Sequence, residues 1–210
     1  MADIKKTVFP KRNGTYSKYS DDILGTAALP VRRTPLDRKW NYVSAAKTRS
    51  QTALREYMAA AGISRHGNKR QLIHRVNNWV NAAITYTDDI RMTGTRDSWA
   101  PALQTLRSGR GDCEDYAIGK MQLLMAAGIR EQDMQFVVVR DLVRRADHAI
   151  LIVKLDGEML LLDSNTNRIV DARQNHDYMP VFSFSGSKKW MHGRRYQPKV
   201  STTPVQLASR

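Results

Sequence analysis

With 210 residues and 41% hydrophobic content, the chain is long and apolar enough for one domain with a sizeable core, which excludes a disordered polymer. Its single cysteine excludes an internal disulfide and cysteine-based zinc sites, and no uncharged apolar run reaches the roughly 18 residues of a membrane-spanning helix, so the chain is not expected to be membrane-embedded. The net charge of +14, from 34 basic and 20 acidic residues, is spread through KKTVFPKR, VRRTPLDRK, RHGNKRQLIHR and SKKWMHGRR without a zinc finger, RRM signature or P-loop, so no specific nucleic-acid partner is expected.

Residues 1–20 are basic and polar and read as a flexible arm; they contain no apolar core of about 7–15 residues, so no signal peptide is expected. Residues 21–38, with Gly25, Pro30 and Pro35, read as irregular. The spacing of Trp40, Val43, Leu54, Tyr57 and Met58 predicts one helix over 39–61, stopped by Gly62. A second helix over 71–84 carries Leu72, Ile73, Val76, Trp79, Val80 and Ile84 on one stripe, with His74 at its boundary. A loop then closes on Trp99 and Pro101, and residues 102–107 make a short helical turn.

In SGRGDCEDYAIGKMQLLMAAG, Tyr116, Ala117, Met121, Leu124 and Met125 recur at spacings of three and four, predicting an amphipathic helix with one buried face. Asp112 is a natural N-cap and Gly128 a natural stop. The period then changes to two. Residues 134–143, 147–155 and 158–162 read as strands, the last two joined by the hairpin pair Asp156-Gly157. Residues 164–180 read as loop, PVFSFSG as a further strand, and 196–210 as a disordered tail. Helices first (39–128) and an antiparallel sheet afterwards (134–190) predict an α+β fold within a single domain over 21–195.

The helix start at Cys113 supplies unpaired N–H groups and the positive end of the helix dipole, which favour a thiolate and can hold an oxyanion. A lone cysteine is also a common buried hydrophobe, and Asp112, Glu114 and Asp115 oppose ionisation of the thiol. A reactive Cys113 therefore needs a basic partner from elsewhere in the chain. His148 opens one strand of the hairpin and Asp163 ends the other, so the two are expected as neighbours at one end of the sheet. A carboxylate that orients an imidazole, and an imidazole that takes a proton from a thiol, make a nucleophilic triad. His66 and His176, in polar loops, and His192, beyond the last clear strand, compete poorly for that role.

Taken together, GDCEDYAIGK, HAILIV and LLLD resemble the bacterial transglutaminase-like cysteine proteinases, a group that includes a periplasmic proteinase releasing large biofilm adhesins. The likeness extends to ILGTAALPVRRTPLDRKW, VNNWVNAAITYTDD, DSWAPALQTL and MPVFSFSGSKKWMHG, about residues 23–193. It implies a papain-like or transglutaminase-like α+β fold, with Cys113 as nucleophile, His148 as general base and acid, and Asp163 as orienting carboxylate. In calcium-dependent members, carboxylates matching Asp112 and Glu114 help to hold Ca²⁺; the bland alternative is that both only serve the helix start. The resemblance further implies a protein substrate, a periplasmic or exported setting, and, for adhesin-cleaving members, a membrane-bound regulator that sequesters the enzyme. Two features depart from the pattern. The absence of a signal peptide leaves a cytoplasmic location open, and Ser164 stands where many members carry Asn.

The function expected is that of a cysteine endopeptidase acting on a protein, such as a large adhesin. One alternative is a transglutaminase-type acyl transferase, which would incorporate amines. The other is a non-catalytic basic module, whose salt-dependent binding to an anionic partner would survive loss of Cys113.

Overall fold

The first strand among the described residues, β1 (Ala27–Pro30), lies at one edge of a seven-stranded sheet in the structure, a computed structural model that describes residues 23–88, 98–175 and 177–193. Helices α1 (Asp37–Ala46), α2 (Gln51–Ala60) and α3 (Lys69–Ala83) follow. Next come a short parallel pair, β2 (Thr85–Tyr86) with β3 (Arg110–Gly111), and between them α4 (Ala102–Ser108). The helix α5 (Cys113–Ala126) is central, and the remaining strands are β4 (Met134–Asp141), β5 (Ala146–Leu155), β6 (Glu158–Leu162), β7 (Val170–Asp171), β8 (Tyr178–Ser185) and β9 (Lys188–Gly193).

The large sheet runs β1-β9-β8-β4-β5-β6-β7, with every pairing antiparallel. Asp156 and Gly157, at φ 50° and 80°, turn β5 into β6 and set Leu155 opposite Glu158. One face of the sheet presents Phe136, Ala149, Leu151, Leu162 and Phe184 to the helices, while Val137, Val139, Ile150 and Ile152 pack on the other face against Ile23, Leu24, Ala172 and Tyr178. Burial on both faces explains why FVVV and AILIV are continuous apolar runs and do not alternate with polar residues. Trp40, Trp99, Phe136 and Phe184 form an aromatic cluster, in which Trp99 meets Phe136 edge-on at 4.8 Å and Trp40 stacks on Phe184 at 5.1 Å.

The α+β architecture expected from the sequence is present, with corrections inside it. The helix expected over 39–61 is two, broken at Lys47–Ser50, where the Ser50 hydroxyl and amide both bond the Ala46 carbonyl. Such back-bonding bends a helix and lets Trp40 and Val43 reach the core separately from Leu54 and Met58. The strand expected to reach residue 143 stops at Asp141, whose carboxylate accepts from the amides of Val143 and Arg144 and closes the turn. The segment 21–38 contains β1, and 164–180 contains β7 and the start of β8. β1 and β7 are not visible as alternation, because each pairs along a sheet edge over only a few residues.

The α5 helix is buried on all sides except at Glu114 and Met125, and so does not have the single buried face that the periodicity predicts. Its buried polar residues tie the surrounding chain to it. Asp115 accepts from the Ala100 amide, while Gln122 accepts from the Ala102 amide and donates to the Val43 carbonyl. Residues 1–20, His176 and 196–210 lie outside the described residues. Among the described residues no helix is long and apolar enough to cross a membrane.

Candidate active site

Two glycines bring the chain to the start of α5. Gly109 ends α4 in the left-handed region at φ 62°, where a side chain would be strained. Gly111 lies so close to α5 that a Cβ there would fall 2.7 Å from the Cβ of Asp115 and 2.9 Å from its Oδ2. Asp112 then caps the helix, its carboxylate accepting from the amides of Glu114 at 3.2 Å and Asp115 at 3.4 Å. This places Cys113 on the first turn of the helix, buried.

The Cys113 thiol donates to Glu114 Oε2 at 2.9 Å and meets the backbone N–H of Ala149 on β5. Burial pushes the thiol well above its ordinary range. The charge and hydrogen bond of Glu114 and the charge of Asp112 add to that, and the Ala149 amide offsets only part of it. The resting thiol is therefore protonated at neutral pH. On β2, the Tyr86 hydroxyl is pushed up to about 12, by desolvation first and then by the charges of Cys113, Asp88 and Asp112.

His148 precedes Ala149 on β5, opposite Val139 of β4, and is buried. Its Nε2 lies 2.8 Å from Asp163 Oδ1, where Asp163 directly follows the last residue of β6. Asp163 is buried too, which alone would raise its carboxyl. The hydrogen bond and charge of His148, the Asn165 amide at 2.9 Å and the Tyr178 hydroxyl on Oδ2 outweigh that burial, and the carboxyl sits below the ordinary carboxylate range. Tyr178 is pushed up correspondingly, by burial first and then by its bond to Asp163. The Asn165 side-chain nitrogen lies 3.2 Å from His148 Nε2. With Nε2 occupied by Asp163, Nδ1 is the imidazole nitrogen left for proton transfer.

The residues singled out in the sequence thus gather at one end of the sheet, Cys113 and His148 linked through Ala149 and His148 bonded directly to Asp163. The other described histidines lie elsewhere: His66 is exposed in a turn, His74 is partly exposed on α3, and His192 bonds Thr26 and Ser183 near the β1 edge. Donor atoms of Asp112, Cys113 and Glu114 lie within 4.8 Å of one another. The two carboxylates suit a hard cation; a thiol sulfur does not. Four polar neighbours of His148 and Asp163 went unread in the sequence: Tyr178, Asn165, Asn81 and Lys120. Lys120 had a signal, since it lies seven residues after Cys113 and so on the same side of α5. Tyr178 had none, as it falls in a segment without periodicity.

Comparisons with known proteins bear on the family and the fold. The family model described as bacterial transglutaminase-like cysteine proteinase matches residues 40–195. EGTA-treated LapG of Legionella pneumophila is 27% identical, over 75% of this chain and 87% of that one, with a TM-score of 0.56. Calcium-bound LapG of the same organism is 24% identical, over 81% and 94%, with a TM-score of 0.58. Comparison with curated proteins finds no match. A match over most of its length, on a fold with a cysteine at the head of a buried helix, places the chain in the bacterial transglutaminase-like cysteine proteinase family, as a cysteine peptidase.

Proposed function

We propose that the protein is an endopeptidase that cleaves a protein substrate through a Cys113–His148–Asp163 triad. The observation that carries the reading is the buried His148–Asp163 pair at 2.8 Å, adjacent in sequence to Ala149, whose amide meets the Cys113 sulfur. Because burial and Glu114 keep the thiol protonated, its proton leaves as sulfur attacks: Sγ bonds to the peptide carbonyl carbon while His148 Nδ1 takes the proton. Asp163 holds the resulting imidazolium through Nε2. The Cys113 backbone N–H, without an intrahelical acceptor at the first turn, faces the developing oxyanion. Collapse breaks the C–N bond, and the imidazolium gives its proton to the leaving amine. His148 then takes a proton from water, which attacks the thioester and restores the thiol.

Asp112 and Glu114 are the residues that would hold Ca²⁺, whose charge would offset two carboxylates beside the thiol. Calcium-bound LapG supports calcium as the cation, and the proximity of the Asp112 and Glu114 carboxylates supports them as its ligands. The resemblance also supports a periplasmic or exported setting, a large surface adhesin as substrate and a membrane-bound regulator.

The test uses 4-nitrophenyl acetate, which can acylate the thiol without a known peptide sequence. The parent protein should show an acyl-enzyme, detected by mass as acetylated Cys113, followed by turnover. Cys113→Ala should abolish both and leave the melting temperature near the parent's, and His148→Ala should slow iodoacetamide alkylation of Cys113. Turnover by Cys113→Ala at the parental rate would rule the reading out. Incorporation of an added amine in place of water would identify an acyl transferase.

A further inference from the structure

Lys120 is 1% exposed, two helical turns beyond Cys113 on α5. An ammonium group at that depth is costly unless its donors are needed. Among the described residues it makes no salt bridge, and its hydrogen bond goes from Nζ to the backbone carbonyl of Asp163 at 2.8 Å. Burial pushes the ammonium down to about 7, only partly opposed by the charge of Asp163; charged or neutral, Nζ keeps a proton to donate.

A second helix reaches the same atom. From α3, Asn81 Nδ2 lies 3.0 Å from the Asp163 carbonyl, 3.1 Å from the Thr166 carbonyl and 2.9 Å from Asn167 Oδ1. One turn earlier, Asn77 Nδ2 donates to the Asn167 carbonyl at 3.3 Å. Strand β6 ends at Leu162, so Asp163 has left the sheet ladder. Its main chain is held from the helix side while its carboxylate is engaged from the sheet side by His148 and Tyr178.

We propose that Lys120 and Asn81 are positioning residues, which grip the Asp163 carbonyl from α5 and α3 and so hold its carboxylate on His148 Nε2. The proposal rests on the triad reading and adds to it the means by which the orienting carboxylate is itself oriented. A loop that needed only anchoring could be tied by neutral amides, as Asn77 ties Asn167. The buried lysine instead takes the carbonyl of the residue that aims the imidazole. Because α5 carries both Cys113 and Lys120, one rigid helix sets the sulfur and the Asp163 backbone in a common frame.

Lys120→Met tests this, since methionine has similar length and removes both the donor and the buried charge. The readouts are kcat and KM for 4-nitrophenyl acetate, the melting temperature, and the downfield proton resonance of His148 Nε2–H. The expected result is a kcat lower by roughly ten- to a hundred-fold with KM nearly unchanged, a shifted or broadened resonance, and a melting temperature close to the parent's. Asn81→Ala should give the same pattern to a smaller degree. Parental kcat with an unmoved resonance in Lys120→Met overturns the proposal, as does an activity loss that merely follows the loss of stability. Should Lys120→Met fail to fold, Asn81→Ala decides, and a folded variant with parental kcat overturns the proposal. Failure of the triad reading shows separately, as turnover by Cys113→Ala.

Discussion

Asp163 and Glu114 are carboxylates beside the two halves of the proposed site, His148 and Cys113, yet their surroundings are opposite. Asp163 is buried among donors, with an imidazole, a tyrosine hydroxyl and a backbone amide all directed at its oxygens, and its carboxyl lies below the ordinary range. Glu114 is partly exposed and takes a hydrogen bond from the thiol itself, and its charge helps to push that thiol up. The first arrangement is ready to hold an imidazolium. The second opposes a resting thiolate, so under the proposed mechanism the sulfur is activated during attack, by transfer of its proton to His148, or by a change in what Glu114 binds.

The largest expected effect comes from breaking the first arrangement. Asp163→Asn keeps the shape but reverses the demand on Nε2, and kcat for 4-nitrophenyl acetate should fall by on the order of 10⁴-fold, as expected when an imidazole loses its orienting carboxylate. A fall of less than about ten-fold would mean that Asp163 does not orient His148.

Breaking the second arrangement should work in the other direction. Glu114→Gln removes the nearest negative charge from Cys113, so iodoacetamide alkylation at pH 7 without calcium should become faster by several-fold. Added Ca²⁺ should accelerate alkylation of the parent and leave the variant nearly unaffected. Equal responses in the two proteins would place any calcium away from Glu114.

The smallest effect is on stability in acid. Asp163 has a depressed carboxyl, so its contribution is complete above the unfolded-state value of about 3.9 and is lost as pH falls through the lower folded value. Urea midpoints compared between pH 5 and pH 3 should fall further for the parent than for Asp163→Asn. Parallel losses would show that the native carboxyl is not depressed.

The α+β class was legible because helical periodicity and β-branched apolar runs occupy separate halves of the chain, and the Asp156-Gly157 turn put His148 and Asp163 at one end of a hairpin. The break at Ser50 was not legible, since the apolar spacing continues across it. Nor were β1 and β9: Leu29 pairs with Met191 and Pro30 with Trp190, partners about 160 residues apart in the chain. Around the site, the triad candidates carried local signals in a helix cap and a strand end. Tyr178 and Asn81 reach Asp163 from elements whose own patterns report only packing.

Local chemistry alone therefore determined that Cys113 opens a helix, since Asp112 caps it and Gly111 clears its approach, and that a hairpin brings residues 148 and 163 together. Tertiary structure decided the state of those groups. A pKa depends on burial and on charges a few ångströms away, whatever their place in the chain. The raised thiol of Cys113, the depressed carboxyl of Asp163 and the lowered ammonium of Lys120 all arise where α5 enters the sheet, from neighbours that the order of residues does not reveal.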